Sequence, residues 1–200
     1  MAGRGRPRAF DRNEALACAM QLFWQRGYQA VSLTDLTAAM GIGAPSFYAA
    51  FRSKEALFRE AVELYGATEA ADDTALERAP TAKAGIEAML RGLIERMDRN
   101  EAAVGCLIML GGVNCSPENA RIDAFLAEHR RATSRALFER FRRGQADGDV
   151  RRDANLEALV SFVGNTMAGL SLLARDGVNR RHLDQVVDCT LTAWSVLAEP

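Results

Sequence analysis

The stretch Ser32–Lys54, SLTDLTAAMGIGAPSFYAAFRSK, constrains the chain more than any other. Two short helical patterns lie here, separated by too few residues for anything but a tight turn. Ser32 is a strong N-cap, and Asp35 places a carboxylate at the positive end of the helix that follows. Leu33, Leu36 and Met40 recur at i, i+3 and i+7, which makes one apolar face. Gly41 can take the left-handed backbone that closes a helix, with Ile42 behind it as an apolar anchor. Pro45 falls in the first turn of the second helix, where its missing N–H costs little. Phe47 and Phe51 share a face, while Ser46, Ala49 and Ala50 lie mostly on others. A face of small residues lets this helix approach another surface closely. The pair reads as a helix-turn-helix whose second helix enters a DNA major groove.

The flanks extend the pattern. Asp11 with Glu14 three positions on resembles a capping box. Leu16, Ala19, Met20, Phe23 and Trp24 then form a stripe that Gly27 ends. Ser53 can cap a fourth helix, with Glu55 in its first turn and Leu57, Phe58, Ala61, Val62, Leu64 and Tyr65 as its apolar face. Ahead of all this, Met1–Arg8 carries Arg4, Arg6 and Arg8 among glycines and a proline, a flexible arm suited to phosphates or a minor groove.

Taken together, the capped short helix, the Gly41 turn, the Phe47-Tyr48 pair and the run Phe51–Phe58 resemble the tetracycline-repressor (TetR) family of bacterial regulators. Ala19–Phe23 and Gly27-Tyr28 are similar to that family's first helix and its exit. The resemblance is specific over roughly residues 7–68. It implies a sequence-specific DNA-binding transcriptional regulator, most often a repressor, released when a small molecule binds a helical body. It also implies a homodimer on a palindromic double-stranded operator.

The body reads as helices throughout. GATEAADDTALERAP, from Gly66, is alanine-rich and acidic and stops at Pro80, where the fourth helix and the connection after it are expected to end. Thr81 can cap a fifth helix, with Ile86, Met89, Leu90, Leu93, Ile94 and Met97 on one side. GCLIMLGG, Gly105–Gly112, is apolar and too short to span a membrane, so burial inside the domain is expected. A long helix from about Asn119 to Arg143 turns Ile122, Phe125, Leu126, Leu137 and Phe141 inward. Its opposite side carries Arg130, Arg131, Arg135, Arg140, Arg142 and Arg143, which reads as a solvated face. The last two helices, Leu156–Leu173 and the one holding Leu183 to Leu197, are apolar on so many sides that burial by a second copy is expected. Leu159, Val163, Leu170, Val187, Leu191 and Trp194 are the candidate dimer residues. Met97, Cys106, Met109, Phe125, Phe162 and Met167 are the candidates for a pocket that takes a small hydrophobic or aromatic effector.

Composition closes off other classes. Residues 1–60 hold eight Lys/Arg against five Asp/Glu, and residues 61–200 hold seventeen against twenty-one, a basic front on an acidic body. The four cysteines (Cys18, Cys106, Cys115, Cys189) show no metal-ligand spacing with each other or with His129 and His182. No Gly-rich phosphate loop, GxSxG or HExxH occurs, so neither an enzyme, a cofactor nor a metal is expected. With no signal peptide and no membrane span, the expected setting is the bacterial cytoplasm, on the nucleoid when bound. The alternative is a helical ligand-binding or a cysteine-based electrophile- or redox-sensing regulator with weak or lost operator specificity; its candidate thiols are Cys115 and Cys106, of which Cys115, in the Asn114–Pro117 break before a helix start, is the better placed.

The expected architecture is therefore all-α with about nine helices. An arm over 1–7 and a DNA-binding domain over 8–68 (motif 32–51) precede a ligand-binding and dimerisation domain over 69–200. One departure from the family stands out: Gly41–Ala50 carries no Lys or Arg. Base contacts then fall to Ser46, to Thr34 of the preceding helix, and to Ala44, Pro45 or Ala49 against thymine methyls, with Ser32 beside them. Tyr48 and Lys54 are expected on phosphates, with Arg4, Arg6 and Arg8 adding charge.

Overall fold

Local chemistry accounts for most of the helix starts in the computed structural model, which describes residues 11–99, 105–113 and 115–200. The Asp11 carboxylate accepts from the backbone N–H groups of Asn13 and Glu14, starting α1 (Arg12–Ala30). Gly27 breaks α1 internally at φ 72°, ψ 170°, a conformation essentially reserved for glycine. The head continues with α2 (Leu33–Met40) and α3 (Ala44–Phe51). Ser53 Oγ then accepts from the N–H of Ala56 to start α4 (Lys54–Arg78). In the body, Thr81 caps α5 (Ala82–Arg99) through Ala84 N–H. A single turn, α6 (Leu107–Leu110), and a 3₁₀ turn at Pro117–Asn119 lead into α7 (Ala120–Asp147), α8 (Leu156–Arg175) and α9 (Arg180–Leu197). Among the described residues there is no strand, in line with the all-α expectation.

The head core is aromatic. Phe23 meets Phe58 edge-on at 5.0 Å, and Tyr28 meets the same ring at 5.0 Å, so α1 is fixed on α4 by large rigid side chains. Trp24 and Tyr65 add a further edge contact at 4.8 Å. α4 runs through Gly66 to Arg78, just before the expected end at Pro80; its second half packs on α5, and that packing outweighs the local cost of glycine. The expected boundary at 68 thus falls inside one continuous helix.

In the body, α5 lies between α4, α8 and α9. Its Arg91 reaches Glu87 at 2.9 Å, Asp184 at 3.2 Å and Asp188 at 2.8 Å, binding α5 to α9 at the surface. Hydrogen bonds from Arg91 to Glu87 and Asp188 push its pKa up further. The arginine face of α7 is solvated as expected: Arg131 and Arg135 both pair with Glu128, and Arg142 pairs with Glu139. Two arginines depart from this: Arg130 is half-buried and donates to the Ile108 carbonyl at 3.0 Å, and the other is Arg140. It is 4% exposed and lies 3.5 Å from Asp149, which follows the left-handed Gly148 turn. Burial of this guanidinium lowers its pKa, with Asp149 opposing. The apolar run at Cys106–Ile108 is buried, as its composition implied.

α8 is long and apolar enough to cross a membrane by length and composition, at a mean hydropathy of 1.4. One face of it is a protein core instead: Val163 and Leu170 are fully buried against neighbouring helices.

Candidate nucleic-acid interface

The reading unit is built by a reciprocal cap. The Ser32 N–H donates to an Asp35 carboxylate oxygen at 2.8 Å, while Ser32 Oγ accepts from the Asp35 N–H at 3.1 Å. The Ser32 hydroxyl also bonds the same carboxylate. These bonds from Ser32 hold the Asp35 carboxyl below its usual range, with Arg26, 3.6 Å away, adding to the effect. Ser32, expected beside the bases, therefore has its hydroxyl committed to the cap. Thr34 stands exposed one position into α2.

Gly41, at φ 66°, ends α2 in the left-handed conformation. Gly43 then starts α3 with no side-chain cap, so the first N–H groups of that helix lack an intrahelical or side-chain acceptor. Such an N-terminus favours phosphate oxygens. Phe47 and Phe51 are buried, at 0% and 1% exposure, and anchor α3 on the head core. The opposite face presents Ala44, Pro45, Ser46, Tyr48 and Ala49 to solvent. Tyr48 is 52% exposed, its ring braced edge-on by Phe47 at 5.5 Å. Small side chains, one hydroxyl and one phenol form the outer surface of this helix, as the residue spacing indicated.

Lys54 is less free than its place in the sequence suggests. Its ammonium sits 4.2 Å above the Tyr28 ring, half-buried where the head meets the body. Desolvation lowers its pKa, against the pull of Cys115 and Asp35. Arg4, Arg6 and Arg8 lie outside the described residues.

Two features of the site were not legible in the sequence. Arg52 joins α3 to α4 at φ 65°, ψ −47°, and the Ser53 N–H donates across it to the Phe51 carbonyl at 2.7 Å. This is a γ-turn of the strained hand, and its centre is an exposed cation beside Tyr48 and Lys54. Arg12 is the other. It lies over the Phe51 ring at 4.7 Å, donates to the Ala50 carbonyl at 3.3 Å and pairs with Glu60 at 2.6 Å, tying α1 to α3 and α4.

The head is clasped by the body at the end of α1. Tyr28 N–H donates to the Gly111 carbonyl at 2.9 Å, and Trp24 Nε1–H to the Gly105 carbonyl at 2.6 Å. Gln29 Oε1 accepts from Asn119 Nδ2 at 2.7 Å. Arg59 covers the Phe125 ring at 4.4 Å. Cys115 is half-buried in this junction; burial and Asp123 push its thiol pKa up, with Lys54 opposing.

The six pocket candidates are dispersed. Met97, Cys106 and Met167 are buried in the body core. Phe125 faces α4 under Arg59, stacked edge-on with His129, and Phe162 lines an outer groove with His182, Val186, Cys189 and Thr190. The six dimer candidates Leu159, Val163, Leu170, Val187, Leu191 and Trp194 are all buried inside the single chain. An outward groove on α8 and α9 is lined instead by Phe162, Val186, Cys189 and Ala193, and Leu172, Val196 and Leu197 are also exposed. Among the described residues no three His, Cys, Asp or Glu side chains are grouped to hold a metal.

Comparison with known proteins agrees with this geometry. Residues 15–61 match the model of the bacterial regulatory proteins of the tetR family. Residues 82–190 match a tetracyclin repressor-like C-terminal domain. The HTH-type transcriptional repressor ComR of Escherichia coli (strain K12) is 31% identical over 198 residues, 98% of this chain and 94% of that protein. BdcR, an HTH-type transcriptional repressor of the same organism, is 32% identical over 175 residues, 86% and 83% of the two chains. A solved structure of a cysteine mutant of the TetR family regulator CifR, complexed with 26bp double-strand operator DNA, is 44% identical with a TM-score of 0.89, covering 94% of this chain and all of that one. The chain belongs to the TetR family of bacterial regulatory proteins and is a helix-turn-helix DNA-binding transcriptional regulator.

Proposed function

We propose that this chain is a cytoplasmic homodimeric repressor of a palindromic operator, released by a small hydrophobic or aromatic effector in its body. The observation that carries the reading is the exposed face of α3, Ala44, Pro45, Ser46, Tyr48 and Ala49, offered on a rigid aromatic anchor. Ser46 and Thr34 supply hydroxyls to base edges, and the small apolar side chains supply contact with thymine methyls. Tyr48, Arg52 and the open N-terminus of α3 supply phosphate contacts, which fix register without reading sequence. Arg4, Arg6 and Arg8 add to the electrostatic share of affinity.

Two heads must span successive major grooves about 34–36 Å apart. An effector that favours another head spacing weakens binding in proportion to its differential affinity for the two states. Buried Met97, Cys106 and Met167, and the partly buried Met109, give the body soft, adaptable apolar side chains able to yield to such a ligand. The test is a mobility-shift titration of the operator complex with a panel of apolar and aromatic compounds. Release by some members supports the reading; an operator complex that none of them releases contradicts it.

A thiol-sensing variant of the same switch rests on Cys115, which is near Lys54 and Tyr28 at the head–body junction. Its raised pKa keeps it protonated at neutral pH, which slows attack on electrophiles. Quinone or mild-oxidant treatment of the operator complex separates the two: release lost in Cys115→Ser supports sensing, and unchanged release in Cys115→Ser and Cys106→Ser rules it out.

A further inference from the structure

A cleft of about 230 Å³ opens where three parts of the chain converge: the end of α1, the end of α6 with the turn after it, and the last turn of α8. Trp24, Leu110 and Val113 give it apolar walls beside the polar Gln25 and Gln29, and Val113 is 54% exposed. Arg26 and Arg175 give it charge. Arg26 has only the 3.6 Å contact with Asp35, and Arg175 has no acidic partner among the described residues. Gly27 and Gly111 lie in the same wall, beside the hydrogen bond from Tyr28 N–H to the Gly111 carbonyl that joins head to body.

We propose that this cleft is a second effector site, and that its ligand is a small organic acid whose carboxylate is received by Arg175. Apolar walls facing two guanidinium groups are complementary to a short aliphatic or aromatic carboxylate, since such a ligand buries carbon and pairs charge at once. A neutral ligand leaves Arg175 without a counter-charge, and a cation is repelled. The C-terminal end of α8 contributes about half a negative charge, which the full charge of Arg175 exceeds; Arg26 is partly offset by Asp35. The volume is below the ~300–1,000 Å³ of clefts that hold drug-sized molecules, so the acid is small.

The site rests on the regulator reading and deepens it. A ligand held by both α1 and the body touches both sides of the joint that must move. It therefore binds one head position better than another and shifts the population between them.

The test reads the two indole N–H resonances of the full-length protein, Trp24 and Trp194, by two-dimensional NMR without DNA. Acetate through octanoate, and benzoate, are added in turn, with the matching amides as neutral controls. Saturable movement of the Trp24 resonance with the acids alone is expected, while the buried Trp194 stays fixed. Arg175→Gln weakens that response by about tenfold or more, and because Arg175 is exposed the variant keeps the wild-type Trp194 resonance. No response of Trp24 to any acid overturns the proposal, as does an equal response in Arg175→Gln or to the amides. Failure of the regulator reading is visible separately, as absence of operator binding by the protein without any acid.

Discussion

Tyr28 and Gly111 are joined backbone to backbone, the N–H of the first donating to the carbonyl of the second at 2.9 Å across the head–body junction. The bond is possible because Gly27, immediately before Tyr28, turns the chain at φ 72° and ψ 170°. A Cβ at position 27 stands 3.3 Å from the Gly111 oxygen in a region of backbone space nearly closed to other residues. This glycine and its hydrogen bond thus help to fix head orientation, together with the Trp24–Gly105 and Gln29–Asn119 bonds.

Gly27→Ala is expected to cost about 1–3 kcal/mol, through backbone strain and displacement of the Gly111 carbonyl. Thermal unfolding reads this as a drop of about 2–4 °C per kcal/mol. Operator affinity falls with it, because the head loses its fixed seat. A variant with wild-type melting temperature and wild-type affinity would show the joint to be permissive.

Arg52→Gly is expected to move stability and binding in opposite directions. Glycine relieves the γ-turn strain, worth about 1 kcal/mol. The exposed cation is lost, so the slope of log affinity against log salt becomes shallower by about 0.9 if Arg52 meets one phosphate. Calorimetry and salt-dependent binding together check both signs. Unchanged salt dependence would remove Arg52 from the interface.

The two serines of the reading unit should separate cleanly. Ser32→Ala removes the α2 cap and costs about 1 kcal/mol of head stability, with binding reduced at all sequences alike. Ser46→Ala leaves the melting temperature in place and alters preference at particular base pairs. Parallel melting and binding-site selection tell them apart.

The cap also carries a pH signature. Asp35 titrates below its unfolded value because Ser32 donates to its carboxylate. Its stabilising effect is present above the unfolded carboxyl pKa, near pH ~4, and is lost as pH falls through the lower folded value. Head stability should thus be level around neutrality and decline in acid, and Asp35→Asn should remove that component of the decline. An acid limb identical in the two proteins would rule Asp35 out as its source.

Assembly has its own pair of variants. Val186→Glu or Phe162→Glu, on the outward groove of α8 and α9, should give folded monomers that no longer bind the operator. Leu191→Glu or Trp194→Glu should fail to fold, because those side chains are interior to one chain and a buried unpaired charge is costly. Light scattering and circular dichroism distinguish the outcomes; dimeric Val186→Glu and Phe162→Glu proteins would move the interface elsewhere.

What could be read from the sequence was local. Ser32, Gly41, Ser53 and Thr81 each act within three or four residues of themselves, and each caps or closes a helix as its chemistry implies. Tertiary choices were hidden. α8 is apolar on so many sides that composition does not say which face its own chain buries, so Leu159, Val163 and Leu170 read as dimer contacts although they are core. Arg140 reads as one more surface cation, since its partner Asp149 becomes its neighbour only after the Gly148 turn. The γ-turn at Arg52 carries no residue-type signal at all, because glycine is what that backbone favours.

The central claim is that α3 reads base pairs without a basic side chain of its own. Selection of binding sites from random double-stranded DNA by the full-length protein tests it most directly. The expected result is enrichment of one palindrome whose half-sites lie one helical turn or a multiple of it apart, with base preferences that change on Ser46→Ala and persist on Arg52→Gly. Binding with no enriched sequence, or an enriched sequence untouched by Ser46→Ala, would contradict it.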